Sequence, residues 1–291
     1  MPEMPEVQGL AQFLASKLVP DSGAPARVRD VQLGSFAVLK TAEIPLSAVS
    51  SMVFRGVDRR GKFLILSLEG VHLVMHLARA GWLRWSDTIP DTILRPGKGP
   101  IALRLRCAEP PGYGFDVTEA GTRKSAAVYL VRDVLEVPGV SRLGPEALDV
   151  GEDQFTSMLH AHRSQVKGAL RDQSFIAGIG NAYSDEILHA ARLSPFAIAA
   201  KLNNDQLVAL HHAMHSVLGA AITAAAGKPA KELKDAKRRE MKVHGRTGEP
   251  CPVCGDTVRE VSFADSALQY CPTCQTGGKP LADRRTSKFL K

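Results

Sequence analysis

Four cysteines near the C-terminus, Cys251, Cys254, Cys271 and Cys274, follow the pattern C-x2-C, sixteen residues, C-x2-C. Two such pairs bring four thiolates to one tetrahedral zinc ion. No coordination position remains for water or substrate, so this zinc is structural rather than catalytic. The competing chemistry, two disulfides or redox pairs, belongs to an oxidising compartment. The opening residues Met1-Pro2-Glu3-Met4-Pro5-Glu6 lack the basic segment and apolar run of a secretory signal, so a cytoplasmic, nucleoid-associated protein is expected. Residues 257–261 and 267–270 read as the two strands of a zinc-ribbon hairpin with its tip at Phe263, Ala264, Asp265 and Ser266. Just before it, residues 227–246 carry Lys228, Lys231, Lys234, Lys237, Arg238, Arg239, Lys242 and Arg246 against Glu232, Asp235 and Glu240. Such a run is either a solvated helix face or a contact for a nucleic-acid backbone. The fifth cysteine, Cys107, alternates with apolar residues in Ile101–Cys107 and reads as a buried core thiol.

These residues need a scaffold. The chain has 291 residues, 44% of them hydrophobic, and a net charge of +7. That is enough apolar material for one large domain or two ordinary ones, and it excludes wholesale disorder. Aromatic residues make up only 5%, which argues against a surface built to stack many bases. No stretch approaches the roughly 18 uncharged apolar residues of a membrane span. Val7, Leu10, Leu14 and Leu18 recur at helical spacing after Pro5-Glu6. The period then changes to that of strands over residues 52–57, 62–68, 71–77, 101–107, 114–118 and 126–131, with a tight turn at Glu69-Gly70. Residues 86–100, with three prolines, read as a loop. Beyond Pro138-Gly139 and Leu143-Gly144-Pro145, helical spacing returns at Phe155, Leu159, Val166, Leu170, Ile187, Leu188, Leu207, Leu210, Met214, Val217 and Leu218. His211, His212 and His215 read as an exposed helix face, with no further metal ligand nearby. The fold class is α+β: a mainly β domain with a capping helix over 1–135, a helical domain over 136–246, the zinc ribbon over 247–280 and a basic tail over 281–291, with Arg284, Arg285, Lys288 and Lys291. Nothing indicates an obligate oligomer, and a monomer is expected.

With these parts in order, the chain resembles the formamidopyrimidine-DNA glycosylase/endonuclease VIII family over nearly its whole length. Four signatures carry the resemblance. They are Met1-Pro2-Glu3-Met4-Pro5-Glu6-Val7; Arg60-Gly61-Lys62; Asp172-Gln173 with Ile176-Ala-Gly-Ile-Gly-Asn181-Ala-Tyr-Ser-Asp-Glu186; and His244-Gly-Arg-Thr-Gly-Glu-Pro-Cys251. Each is weak alone, and the order makes them specific. The resemblance implies an N-terminal β-sandwich and a helix–two-turn–helix domain with a zinc ribbon, with damaged double-stranded DNA bound in the cleft between them.

It also implies roles. Removal of Met1, favoured by a small second residue, leaves Pro2 as the terminal amine. A terminal amine has a pKa near 8, well below the ~10.4 of lysine, so a useful fraction is nucleophilic at neutral pH. Attack on C1′ of a sugar releases the base and forms an iminium ion that permits strand scission by elimination. Glu3 is the acid/base partner in ring opening and proton transfer. Lys62 reaches the phosphate and sugar of the lesion. Glu6 supports them, and Lys167 and Asn181 suit a DNA phosphate at a helix start.

The chain also departs from the family. Where the 8-oxoguanine enzymes carry His-Leu-Gly-Met-Ser-Gly, with Met filling the gap left by a flipped base, this chain has His76-Leu77-Ala78-Arg79-Ala80-Gly81. The Asp-Pro-Arg-Arg-Phe wedge segment is missing, and the nearest stretch is residues 118–124. Arg79 and Arg123 are the candidates to enter the stack. The family arginine five residues before the third cysteine is Ser266 here, so the ribbon would meet DNA through Ser266 and Gln269. Kept chemistry with altered wedges predicts a bifunctional glycosylase and abasic-site lyase that prefers abasic sites, oxidised pyrimidines or ring-opened purines to 8-oxoguanine. The alternative is a non-enzymatic DNA-damage-binding protein on the same scaffold. A zinc-ribbon transcription or RNA factor ranks last, because it leaves the N-terminal motif and Asn181 unexplained.

Overall fold

In a computed structural model, residues 1–283 are described apart from Lys98, Thr122 and Asp265. The expected basic tail at Arg284, Arg285, Lys288 and Lys291, and Asp265 of the hairpin tip, therefore lie outside the described residues. Packing divides the chain into two units. The first is Met1–Arg142 with Ala225–Asp235, and the second is Leu143–Ala224 with Ala236 onward. The division thus falls seven residues later than expected, and an eleven-residue piece of the helical half packs with the first unit.

The first unit opens with helix α1, Met4–Leu18, followed by strands β1 Arg27–Leu33, β2 Gly56–Arg60, β3 Phe63–Ser67, β4 His72–His76, β5 Gly81–Ser86, β6 Ile101–Glu109, β7 Gly114–Glu119 and β8 Ala127–Val131. They form two four-stranded antiparallel sheets, β1-β6-β7-β5 and β2-β3-β4-β8. One core joins Val28, Leu83, Leu103, Leu105, Phe115 and Val117 of the first sheet to Leu64, Leu66, Leu73, Met75, Val128 and Leu130 of the second. Val7, Leu10, Leu14 and Leu18 of α1 complete it. Ile65 and Val74, on the opposite face of the second sheet, are buried as well. With both faces covered, β3 and β4 read as unbroken apolar runs rather than alternations. A short helix, α2 Pro138–Ser141, belongs to this unit; a Cβ on Gly139 would lie 2.5 Å from Phe63 Cζ.

Three expectations for this unit change. Residues 52–55 are not ladder residues of β2: Val28 N–H bonds to Met52 O, Phe54 N–H to Ala26 O, and Arg55 N–H to Ser67 O, so the segment joins the two sheets. Strand β1 was hidden by its charges, of which Asp30 pairs with the buried Arg106 of β6. Strand β5 was hidden by its tryptophans: Trp85 packs edge-on to Phe13 and Tyr113, and Trp82 Nε1 donates to Ala230 O at 3.1 Å. Ala225, Ala230 and Leu233 join the same core, which is why 225–235 belongs to this unit.

The second unit holds α3 Glu152–Ala161, α4 Val166–Arg171, α5 Asn181–Ala190 and most of α6 Asn204–Ala225 and α7 Leu233–Glu240, then β9 Arg259–Ser262, β10 Ala267–Tyr270 and α8 Pro272–Thr276. The apolar residues chosen by helical spacing are buried, except that Val217 is half-buried. Contrary to expectation, α6 is long and apolar enough to cross a membrane by length and composition. Its Leu207, Leu210, Met214 and Leu218 are buried within the protein. Only His212 of its histidines is exposed. The His211 and His215 rings lie 4.4 Å apart at a tilt of 51°, and both direct Nε2 at Val150 O. Cys107 is buried, and burial pushes its thiol up to about 12.

Candidate active site

In the first unit the site is built around the start of α1. Pro2 and Glu3 are both buried while Met1 is 46% exposed. Glu6, one turn into the helix, accepts the Glu3 backbone N–H at 2.8 Å. That bond satisfies an N–H left without a helical partner at a helix start and sets the direction in which the chain enters α1. Glu6 is therefore a buried brace for Glu3. Its carboxylate is spent on the start of α1.

Lys62, in the turn between β2 and β3, is also buried. Arg59 ties this turn to α1 by donating from Nε to Gln8 Oε1 at 2.9 Å and from Nη1 to Gly61 O at 2.8 Å. The β3–β4 ladder sets Phe63 against His76, and their rings lie 4.8 Å apart. Burial first, and the Lys62 ammonium second, push the His76 imidazole down to about 4. It is neutral at pH 7. Its Nδ1 accepts from Ala78 N–H at 3.3 Å, so Nε2 carries the proton. His76 was not singled out as a candidate from the sequence. The available signal was its place as cross-strand partner to the residue after Lys62.

Two arginines stand on exposed turns of this unit. Arg79 follows Ala78, whose φ of 52° is left-handed, a conformation that costs a non-glycine residue about 1–2 kcal/mol. The turn closes at Gly81, where a Cβ would meet Leu77 O at 2.2 Å, so only glycine fits. Arg123 sits in a loop closed by its own polar groups. The buried Lys124 donates to Glu119 O and Gly121 O, and Glu119 Oε2 accepts from Ser125 and Ala126 N–H at 2.7 and 2.9 Å.

In the second unit, the glycine-rich signature is a braced turn. Gln173 accepts from Gly178 N–H at 3.0 Å and donates to Ile179 O at 2.7 Å, while Gly178 takes φ 103°. The turn delivers Asn181 at the start of α5, where its Nδ2 donates to Ala267 O at 2.8 Å. Asn181 Oδ1 is buried with no hydrogen-bond partner among the described residues. Such an atom is costly to leave unmade.

Lys167 is held within the fold. It is buried, bonds to Asp185 Oδ1 at 2.6 Å and Ser184 Oγ at 2.8 Å, and so neutralises the fully buried Asp185 rather than presenting its charge to a phosphate. Asp185 Oδ2 also accepts from His244 Nδ1 at 2.7 Å. The neighbouring Glu186 accepts the backbone N–H groups of Lys242, Val243 and His244 at 2.8–2.9 Å; burial first raises its pKa, and these bonds oppose the shift. Gln269 stands on β10. It is buried and donates to Glu260 Oε2 at 2.9 Å, which makes it an internal brace of the hairpin. Ser266 is half-buried, its carbonyl accepting from Phe263 N–H. In the basic run, Lys231, Lys234, Arg238, Arg239 and Lys242 are exposed, whereas Lys237 lies over the Tyr183 ring at 4.6 Å.

The four ribbon sulfurs lie within 4.8 Å of one another. Cys251–Cys274 is 3.9 Å and Cys254–Cys271 is 3.3 Å, close to the roughly 3.8 Å edge of a tetrahedron with 2.3 Å zinc–sulfur bonds. With protons alone, burial pushes the Cys271 thiol up to about 11 and the Cys274 thiol up further. A zinc ion reverses that preference by favouring thiolates. The donor set thus fits one structural zinc.

Three family models match the chain: formamidopyrimidine-DNA glycosylase N-terminal domain over residues 1–119, formamidopyrimidine-DNA glycosylase H2TH domain over 143–231, and the zinc finger found in FPG and IleRS over 248–277. The formamidopyrimidine-DNA glycosylase of Desulforamulus reducens is 30% identical over 289 residues, 94% of this chain and 99% of that one. The chain belongs to the formamidopyrimidine-DNA glycosylase family. A formamidopyrimidine-DNA glycosylase-like protein of Mycobacterium tuberculosis is 59% identical over 154 residues, 53% of this chain and 98% of that one. Among solved structures, the MutM (FPG) protein from Thermus thermophilus is 30% identical with a TM-score of 0.77, covering 96% of this chain and all of that one. MutM in complex with carbocyclic 8-oxo-G containing DNA is 25% identical with a TM-score of 0.80, covering 94% of this chain and all of that one. This member keeps the family's α+β fold, its helical domain and its four-cysteine ribbon.

Proposed function

We propose that this chain is a bifunctional DNA glycosylase and abasic-site lyase whose nucleophile is the amine of Pro2. The observation that carries this reading is the buried Pro2-Glu3 pair at the start of α1, with Arg59 tying the Lys62 turn to the same helix. Met1 is removed first. The Pro2 nitrogen then bonds to C1′, the N-glycosidic bond breaks, and the base leaves with a proton. Glu3 transfers protons during ring opening. Loss of a C2′ proton from the iminium breaks the C3′–O bond and cuts the strand. Lys62 and the Nε2–H of His76 supply donors for the lesion phosphate and sugar oxygens, while Asn181 and the exposed cations of residues 231–242 hold the DNA backbone. The partner is damaged double-stranded DNA; a MutM neighbour is in complex with carbocyclic 8-oxo-G containing DNA.

Arg79 stands where the 8-oxoguanine enzymes place a methionine wedge, Arg123 lies in the stretch nearest to the missing wedge segment, and Ser266 replaces a cationic finger. This favours abasic sites, oxidised pyrimidines or ring-opened purines over 8-oxoguanine. The test is borohydride trapping on a duplex with one abasic site, using protein with a verified Pro2 terminus. A covalent adduct that Pro2→Gly abolishes is expected. DNA binding without an adduct at any salt concentration would transfer the protein to the damage-binding alternative. Efficient excision of 8-oxoguanine opposite cytosine would overturn the lesion preference.

A further inference from the structure

Helix α5 carries a polar stripe. Asn181, Asp185 and His189 recur every four residues, a spacing that stacks side chains on one side of a helix. Each ends on the ribbon or the segment leading into it. Asn181 Nδ2 bonds to Ala267 O at 2.8 Å. Asp185 Oδ2 accepts from His244 Nδ1 at 2.7 Å and from Gln269 N–H at 3.3 Å. His189 Nε2 lies 3.3 Å from Cys251 Sγ, and both residues are buried. A second tie lies at the same end of the helix: Gln275 accepts from Cys271 N–H and donates to Leu193 O, each at 2.9 Å. Two of the four zinc ligands are therefore bound to the C-terminal end of α5 and the turn after it, one through its sulfur and the other through its backbone.

We propose that His189 is a positioning residue for the zinc centre, donating Nε2–H to the Cys251 thiolate so that it both retains the metal and fastens the ribbon to α5. A zinc-bound thiolate keeps residual negative charge. A hydrogen bond to its sulfur balances part of that charge and fixes the orientation of the ligand around the metal. Because the pair is buried, water does not readily replace a missing donor. The same bond ends the ladder that begins at Asn181, so losing it loosens that end of the ribbon and leaves the Gln275 tie to hold it.

The zinc-loaded full chain tests this without DNA, and so independently of the Pro2 reading. Zinc release to the chelator 4-(2-pyridylazo)resorcinol is followed by absorbance. In parallel, hydrogen exchange is followed by mass spectrometry over residues 267–270. His189→Phe keeps the ring volume and removes the donor, whereas His189→Gln removes the ring and keeps an N–H. Outer donors to metal ligands typically govern about 10–100-fold in metal affinity. The Phe variant is expected to release zinc faster by a factor in that range and to exchange faster over 267–270, with Gln restoring most of the retention. Zinc release from the Phe variant at the parental rate would overturn the proposal. So would equally fast release from Phe and Gln, because the ring rather than the donor would then matter. If the Phe variant does not fold, the Gln variant decides: near-parental retention supports the donor, and rapid loss removes it.

Discussion

Two buried basic groups show how differently the two units use polarity. In the first unit, His76 and Lys62 are like partners, and their proximity adds to burial in keeping the imidazole neutral. In the second, Lys167 lies 2.6 Å from the fully buried carboxylate of Asp185, which also engages His244. A cation bonded to a buried carboxylate already has its ligand within the fold. A basic group is thus set beside a second basic group in one unit and against a buried carboxylate in the other.

The sharpest test of the first half is Glu3→Gln, which should slow base excision by about 10²–10⁴-fold, the range typical of positioned acid–base groups. Unfolding midpoints should stay near parental; a large loss of stability would make Glu3 part of the framework instead. For the second half, Asp185→Ala leaves Lys167 buried with its charge uncompensated. It should destabilise by about 3–5 kcal/mol in denaturant unfolding. Lys167→Met with Asp185→Leu should cost less than that single change. The comparison breaks if Lys167→Met instead leaves stability intact and lowers the salt dependence of DNA binding.

The pH dependence offers a smaller effect. His76 titrates near 6.5 when unfolded and at about 4 when folded, so between these values the unfolded chain binds the extra proton. Its contribution to stability is whole above pH 6.5 and is lost as pH falls toward 4, by at most about 1.4 kcal/mol per pH unit. His76→Gln should flatten that slope in denaturant titrations. Ala78→Gly should have the smallest effect. Relief of a left-handed alanine is partly offset by glycine's backbone entropy, leaving a gain of about 1 kcal/mol or less in thermal or denaturant unfolding.

What could be read in advance follows a physical line. The ribbon was legible because tetrahedral zinc imposes a spacing that few other demands produce. Helix α1 was legible because its apolar positions all face one core. Strands β1 and β5 were not, because their ladders are closed by an Arg106–Asp30 pair and by tryptophan edges that carry no alternation. Glu6, Lys167 and Gln269 stood in the right motifs, but charge or polarity in a motif does not say whether a side chain points outward. Each turned inward to meet a need absent from local sequence: a helix-start N–H, a buried carboxylate and a hairpin brace.

The eleven residues Ala225–Asp235, counted with the first unit though flanked by the second, have a consequence for dissecting the molecule. No single cut yields two self-sufficient pieces. A fragment ending at Arg142 would lack Ala225, Ala230 and Leu233 from its interior, and the Trp82 indole would lose its acceptor. Split versions should regain their shape only on mixing, with the second fragment supplying the missing interior segment in trans.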